Sequence, residues 1–469
     1  MDTTITTLGN ENPNKPATKL EEIDSVVRFD VPVGPKHPFY TDFQKVRGAF
    51  SEKAFYKSLN VNPITFKYDV TINQNNKNLI FLNGMRGSGK TSELFKYISK
   101  LDNPDCFFCI YCPLDEGLNR DNIEYMDIVI FQLNQLLQRI EEIQKPTSEG
   151  GKGVDLEIDM SIIESMSEWF KERIKEINDI TESKIATESI AEVSASIPFL
   201  AKLMTKLTAG VTAATNQTDT IRLVMQNNFT EYAYKFNEFI ETINEQLRKK
   251  EIAQEIFFVI DGLEKVFNDE QRRKIVVTES NRLSQINVNT VFTLPIELLE
   301  EHNHLRNFST PLSFPFIKLL EKNGDVNDKA IKKFKEFLEK RIDLKLFESE
   351  KLIEEMIMMS GGSPRELLRI VEYANVYADE KNKVITRKNY TEALDRLSAE
   401  YSKCLNKEQL LKLKEIKKCN DKNKQIVADN VLLGLLKNLI VMEYNDGTYR
   451  RVNPIVEYSK LYKQEVLGQ

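Results

Sequence analysis

Short apolar runs and long helical stripes alternate along this chain, and their order predicts its architecture. The runs are Leu79–Leu82, Cys106–Cys112, Glu255–Asp261 and Thr290–Pro295. Each is near-continuously apolar, as strands buried on both faces of a parallel sheet are. Between them the period changes to that of helices. Ser92–Lys100 follows the first run, and Ile123–Ile143 carries Met126, Ile130, Leu133, Leu137 and Ile140 on one stripe. Further helices are predicted over Val154–Ile180, Ser194–Asn216 and Ile221–Leu247, all between the second and third strands. Asp328–Glu400 is helical again, broken at Gly361-Gly362-Ser363-Pro364. The pattern predicts an α/β fold with a parallel sheet, a large α-helical insertion and a following helical lid.

The two ends differ from this middle. Met1–Thr18 is polar and expected to be a loose tail. Near the C-terminus, helices are predicted over Lys407–Lys418 and Asp429–Asn438. Ile440–Tyr444 and Thr448–Val452 then flank Asn445-Asp446-Gly447, a hairpin with an Asp-Gly turn.

Composition narrows the class. The chain has 469 residues and a formal net charge of −6, which gives no global case for nucleic-acid binding. Its N-terminus has no apolar secretory core, and no run approaches the roughly 20 apolar residues of a membrane span. A soluble, cytoplasmic protein is expected. Pro198, Lys202 and Lys206 argue against a span in Ser194–Asn216. That segment is either a packed helix of the insertion or an amphipathic surface for a partner. Cys106, Cys109 and Cys112 have a spacing that suggests a metal site. In a strand, however, alternation would point Cys109 away from the other two, so core residues are expected instead.

The candidate chemistry lies at the strand ends. Gly84-Met85-Arg86-Gly87-Ser88-Gly89-Lys90-Thr91 satisfies G-x-x-x-x-G-K-[ST] directly after the first strand and directly before a helix. Such a loop aims backbone N–H groups and a helix N-terminus at phosphate oxygens. Gly84, Arg86, Gly87, Ser88, Gly89, Lys90, Thr91 and Ser92 are the candidate nucleotide-binding residues. Lys90 would reach the β- and γ-phosphates, and Thr91 would give its hydroxyl to Mg²⁺. Asp261 ends an apolar strand, where a Mg²⁺-side acid belongs. Glu264, three residues on, could turn back as the group that orients the attacking water. Ser363-Pro364-Arg365-Glu366 reads as an N-cap, a first-position Pro and a capping-box Glu. It places Arg365 in a first helical turn, from which it could sense a γ-phosphate. Thr293 is either a polar sensor or a structural β-branched residue. Arg272, Arg273, Arg282 and Arg306 are candidates for an arginine acting on a neighbouring subunit. Phe50–Leu59 is expected as a short helix near the nucleotide base.

Together the loop, Ile260-Asp261-Gly262-Leu263-Glu264-Lys265 and Gly361–Arg365 resemble the AAA+/STAND branch of P-loop ATPases. The D-G-x-E form is similar to NACHT-type ATPases, and the G-x-P-R segment to the lid arginine of origin-recognition-type ATPases. The insertion is similar in place to that of KAP-type ATPases, which carry membrane helices there. The resemblance implies ATP and Mg²⁺ as ligands, and four regions: a tail over 1–45, an ATPase core over 46–305 with its insertion at about 148–247, a lid over 306–400 and a winged-helix-like domain over 401–469. It implies an ATP-driven switch that forms a homo-oligomer and controls a separate effector or sensor protein, in the manner of bacterial anti-phage ATPases. A DNA-binding ATPase of origin-recognition or transposition type is the alternative. The second C-terminal helix is mostly apolar, which favours packing, while Arg450-Arg451 and the lysines of Lys403–Lys424 keep DNA backbone contact open.

Overall fold

The four apolar runs pair side by side as parallel strands, and a short fifth strand joins them. In the computed structural model the strands are β1 (Leu79–Asn83), β2 (Phe107–Pro113), β3 (Glu255–Asp261), β4 (Asn289–Leu294) and β5 (Leu312–Ser313). They lie in the order β2-β3-β4-β1-β5. The structure describes residues 14–469 apart from 49, 70, 72–76, 182–195, 214–215, 267, 302–310, 322, 379–382, 404, 423 and 446–447. β5 pairs Leu82 with Leu312, so the sheet runs past the expected end of the core at residue 305. Two residues flanked by prolines are too few to show a strand period.

Alternation sorts the strand side chains into two layers. Phe81, Ile110, Ile256, Phe258 and Phe292 belong to one apolar cluster. Ile80, Leu82, Cys109, Phe257 and Val291 belong to the other. The second layer is covered by α1 (Glu52–Ser58) and α2 (Lys90–Leu101), with Phe55 stacked on Tyr97 at 4.3 Å. The first is covered by α3 (Tyr125–Gln144) and the insertion. Cys109 lies among residues under α2, and Cys112 lies under α3. Cys106 precedes the strand and escapes its alternation. It sides with Cys109, and its thiol meets the Phe66 carbonyl.

The insertion consists of α4 (Met160–Ile180), α5 (Ile197–Thr212), α6 (Asn216–Asn227) and α7 (Phe229–Lys249). Its apolar stripes continue the cluster of the sheet face without a gap, through Trp169, Phe170, Tyr232 and Phe236. A buried pair of Arg222 and Asp127 fastens α6 to α3, with Nε to Oδ1 at 3.0 Å. The single helix expected over Ile221–Leu247 is interrupted at Asn228. Its side chain donates to the Val224 carbonyl and accepts from Arg173, while its backbone keeps the bonds to Val224 and Tyr232. Among the described residues, no helix is long and apolar enough to cross a membrane.

After the sheet come α8 (Asp328–Glu339), α9 (Glu350–Met359), α10 (Pro364–Val376) and α11 (Arg387–Ser402). The described part of the expected tail is built into these helices. Ile23, Val26 and Val27 recur at helical spacing, and with Phe39 and Phe43 they share the cluster of Phe334, Phe337 and Leu338. Residues 1–13 lie outside the described set.

The α9–α10 turn is tight. Gly362 has φ +84°, and a Cβ there would stand 1.7 Å from the Ile317 carbonyl oxygen. Gly362→Ala is therefore expected to cost about 2 kcal/mol or more of stability, read as a lowered denaturation midpoint.

The last part holds α12 (Lys407–Asp421), α13 (Asn430–Lys437) and the antiparallel pair β6 (Val441–Tyr444) and β7 (Tyr449–Val452). The turn residues Asp446 and Gly447 lie outside the described set. Leu432, Leu435, Leu436 and Met442 pack together with Met85, Ile296 and Phe316 from the α/β core.

Candidate nucleotide-binding site

The loop from Gly84 to Lys90 joins β1 to α2, and α2 begins at Lys90. Its side chains are not loose. Lys90 is buried, and its Nζ donates to the carbonyls of Gly84 at 2.8 Å and Met85 at 3.2 Å. Arg86 is exposed, whereas Ser88 is fully buried. Ser92 Oγ accepts the Val33 N–H at 3.3 Å, which ties the N-terminal segment to the first turn of α2.

The two acids of the third strand meet this loop. Thr91 Oγ1 donates to Asp261 Oδ2 at 2.7 Å, and the Tyr111 hydroxyl donates to the same oxygen at 3.1 Å. Asp261 Oδ1 is buried and has no hydrogen bond. Burial, reinforced by the charge of Glu264, pushes the Asp261 pKa up. A carboxylate oxygen left bare beside a hydroxyl suits a hard cation such as Mg²⁺, which takes oxygen ligands. Tyr111 was not singled out from the sequence, because within an apolar strand it reads as one more core residue.

Gly262, at φ +100°, turns the chain back at the end of β3. The turn brings Glu264 Oε1 to 3.6 Å from Lys90 Nζ. Thr293, at the end of β4, donates to Glu264 Oε2 at 3.2 Å and accepts the Gly262 N–H at 3.0 Å. Burial alone would raise the Glu264 pKa. The Lys90 ammonium, helped by Lys265 and Thr293, overrides this and holds it below the ordinary range. Glu264 therefore stays ionised, a state that can orient or accept a proton from water.

The lid touches the loop directly. Ser363 caps α10 by accepting the Glu366 N–H at 3.3 Å, and its hydroxyl donates to the Gly87 carbonyl at 3.2 Å. Glu366 does not close the expected capping box. Its carboxylate accepts instead from Tyr401 at 2.7 Å and Arg369 at 3.2 Å. Arg365 is largely buried, and its Nε donates to the Phe29 carbonyl at 3.2 Å. It lines the same cleft as Arg86, Lys90, Thr91 and Glu264. The far wall of that cleft is the N-terminal segment from Arg28 to Phe43, not α1, which packs behind α2. Arg28, Arg47, Arg86, Lys90, Lys265, Arg341 and Arg365 line it against Asp30, Glu93 and Glu264, so the cleft attracts anions.

No protein-family model matches this chain, and no curated protein does. Among solved structures it is similar to a Walker-type ATPase of Pyrococcus abyssi, with 13% identity and a TM-score of 0.41 over 91% of this chain and 98% of that one. It is also similar to Cdc6p from Pyrobaculum aerophilum, with 10% identity and a TM-score of 0.33 over 92% of this chain and 97% of that one.

Three of the other candidate arginines are engaged. Arg272 is buried against Asp269 and Glu297, Arg273 meets Glu301, and Arg282 meets Glu279. Arg306 lies outside the described residues. In the C-terminal hairpin, Arg450 bonds Glu443 at 2.8 Å and Arg451 bonds Glu457 at 3.1 Å.

Proposed function

We propose that the chain is a Mg²⁺-dependent ATPase whose nucleotide sets the relation of lid to core. The observation that carries this reading is the Thr91–Asp261 contact at 2.7 Å, with Glu264 held beside Lys90. The triphosphate lies along Gly84–Ser92. Lys90 exchanges the Gly84 and Met85 carbonyls for β- and γ-phosphate oxygens. Thr91 and Asp261 would hold Mg²⁺, which would supply charge neutralisation at the phosphates. Glu264 orients the attacking water, with Thr293 fixing its carboxylate. Arg365 reports the γ-phosphate to α10, on which it rides beside the loop-bound Ser363.

On this reading residues 401–469 are a winged-helix-like packing domain, and the insertion is the surface for a separate effector or sensor protein. The ATP-bound form assembles into a homo-oligomer and hydrolysis resets it. Mass measurement of the full chain with ATP, ADP and no nucleotide tests the switch. The ATP form alone is expected to gain mass, and one mass in all three conditions would sink the switch.

The metal contribution should depend on pH. A raised Asp261 pKa means that the metal-free fold binds this proton more tightly than the unfolded chain, so ionising Asp261 costs stability as pH rises. Mg²⁺ with ADP relieves that cost. The Mg²⁺-dependent increase in melting temperature is expected to grow as pH rises above the ordinary carboxylate range. A shift that shrinks as pH rises would remove Asp261 from the metal site.

A DNA-contacting ATPase is the second reading. It is favoured by the exposed lysines Lys407, Lys414, Lys418 and Lys422 along and just after α12. The bonded state of Arg450 and Arg451 weighs against it. A duplex gel shift at low salt, with and without ATP, separates the two readings.

A further inference from the structure

Arg47 belongs to none of the motifs above, yet it sits inside the phosphate loop. It is 3% exposed. Its Nη1 donates to the carbonyls of Ser88 at 2.9 Å and Pro315 at 2.8 Å. Its guanidinium lies 3.9 Å over the Phe314 ring. Nε is buried with no hydrogen bond, and Nη2 comes within 3.6 Å of where a Cβ on Gly89 would stand. Among the described residues Arg47 forms no ion pair. The carboxylate of Glu93, which also lines the cleft, is bonded by Lys96 at 3.0 Å.

Of the other buried arginines, Arg341, which lines the same cleft, is likewise bonded only to carbonyls, those of Phe39 and Phe337, whereas the rest are paired with acids. Arg222 has Asp127, and Arg272 has Asp269 and Glu297. A guanidinium taken out of water whose hydrogen bonds all go to carbonyls is costly to bury, and the Glu93 carboxylate eases that cost only from beyond ion-pair distance. Arg47 opens on the anion-attracting cleft, so a closer negative charge can come from a ligand there.

We propose that Arg47 is a phosphate-binding arginine acting within its own chain. It grips the loop through the Ser88 carbonyl and presents its remaining N–H groups to the ligand's phosphates at the Gly89 end. This rests on the reading of the cleft as a nucleotide site. Arg365 flanks the other part of the loop, with its Cβ and Cδ each 3.1 Å from a Cβ position on Gly87. Arg47 is therefore expected to act on diphosphate and triphosphate alike.

The test is calorimetric binding of adenosine, ADP and ATP with Mg²⁺ to the full chain. Wild type is compared with Arg47→Met, Arg47→Gln and Lys90→Ala. Arg47→Met should weaken ADP and ATP by about ten- to a hundredfold and leave adenosine within about twofold. Arg47→Gln carries no charge, and its amide nitrogen falls where Arg47 Nε lies, short of the Ser88 carbonyl. It should lose phosphate affinity while keeping adenosine affinity within about twofold of wild type, which also covers an Arg47→Met that fails to fold. Equal losses for adenosine and ADP would make Arg47 a structural peg and overturn the proposal. So would ADP affinity in Arg47→Gln that matches wild type. If Lys90→Ala weakens ATP while the Arg47 variants do not, the Arg47 assignment alone fails. If wild type binds no nucleotide, the site reading fails with it.

Discussion

Lys90→Ala is expected to reduce ATP hydrolysis by about a thousandfold or more and to remove most triphosphate binding. Lys90 is 4% exposed, and its ammonium stands 3.6 Å from the Glu264 carboxylate. Removing it does two things. On the proposed reading it deletes the cation that meets the outer phosphates, and it leaves Glu264 buried with Lys265 as its remaining positive neighbour. The Glu264 pKa should then rise toward what burial alone dictates, so the residual activity should also shift its pH profile to more alkaline values. Steady-state phosphate release and equilibrium binding of a fluorescent ATP analogue check both parts. Normal turnover by a folded Lys90→Ala protein would remove this cleft as the site of hydrolysis.

Glu264→Gln should separate binding from turnover. The amide oxygen can still accept from Thr293, so the β3–β4 end keeps its shape. The charge proposed to orient water is lost, and on that reading hydrolysis should fall by about a hundred- to ten-thousandfold while ATP affinity stays within a few-fold of wild type. The variant should leave a gel-filtration column with ATP bound, where wild type carries ADP. A small loss of rate would move the water-orienting role to another acid. One candidate is Asp115, bonded to Lys265 at 2.6 Å.

The legible parts of this site are those built from contiguous residues. The loop motif, the strand-end Asp261 and the first-turn Arg365 are local patterns; the loop and Arg365 line the cleft, and Asp261 is bonded to Thr91 beside it. Glu264 was legible because Gly262 leaves the chain free to turn. What sequence could not show was long-range assembly. The Arg47 contact with Pro315 spans 268 residues, and no local spacing encodes it. The segment read as a tail has the same character. Its apolar residues are few and interleaved with prolines, and they form a wall only where α8 and α10 supply the other side. Glu366 misled for a related reason, since Tyr401 and Arg369 compete for a carboxylate that local pattern assigns to the cap.

Met85 is one of the motif positions that any residue can fill, yet here it is 3% exposed among Leu432, Leu435 and Met442. The Glu443 N–H even donates to its sulfur at 3.2 Å. A chain cut ahead of α12 would leave this methionine bare, together with Ile296 and Phe316. Trimming toward a minimal catalytic fragment would thus open a sticky apolar wound at the loop itself. Such a fragment should come out of expression as aggregate, however sound its sheet.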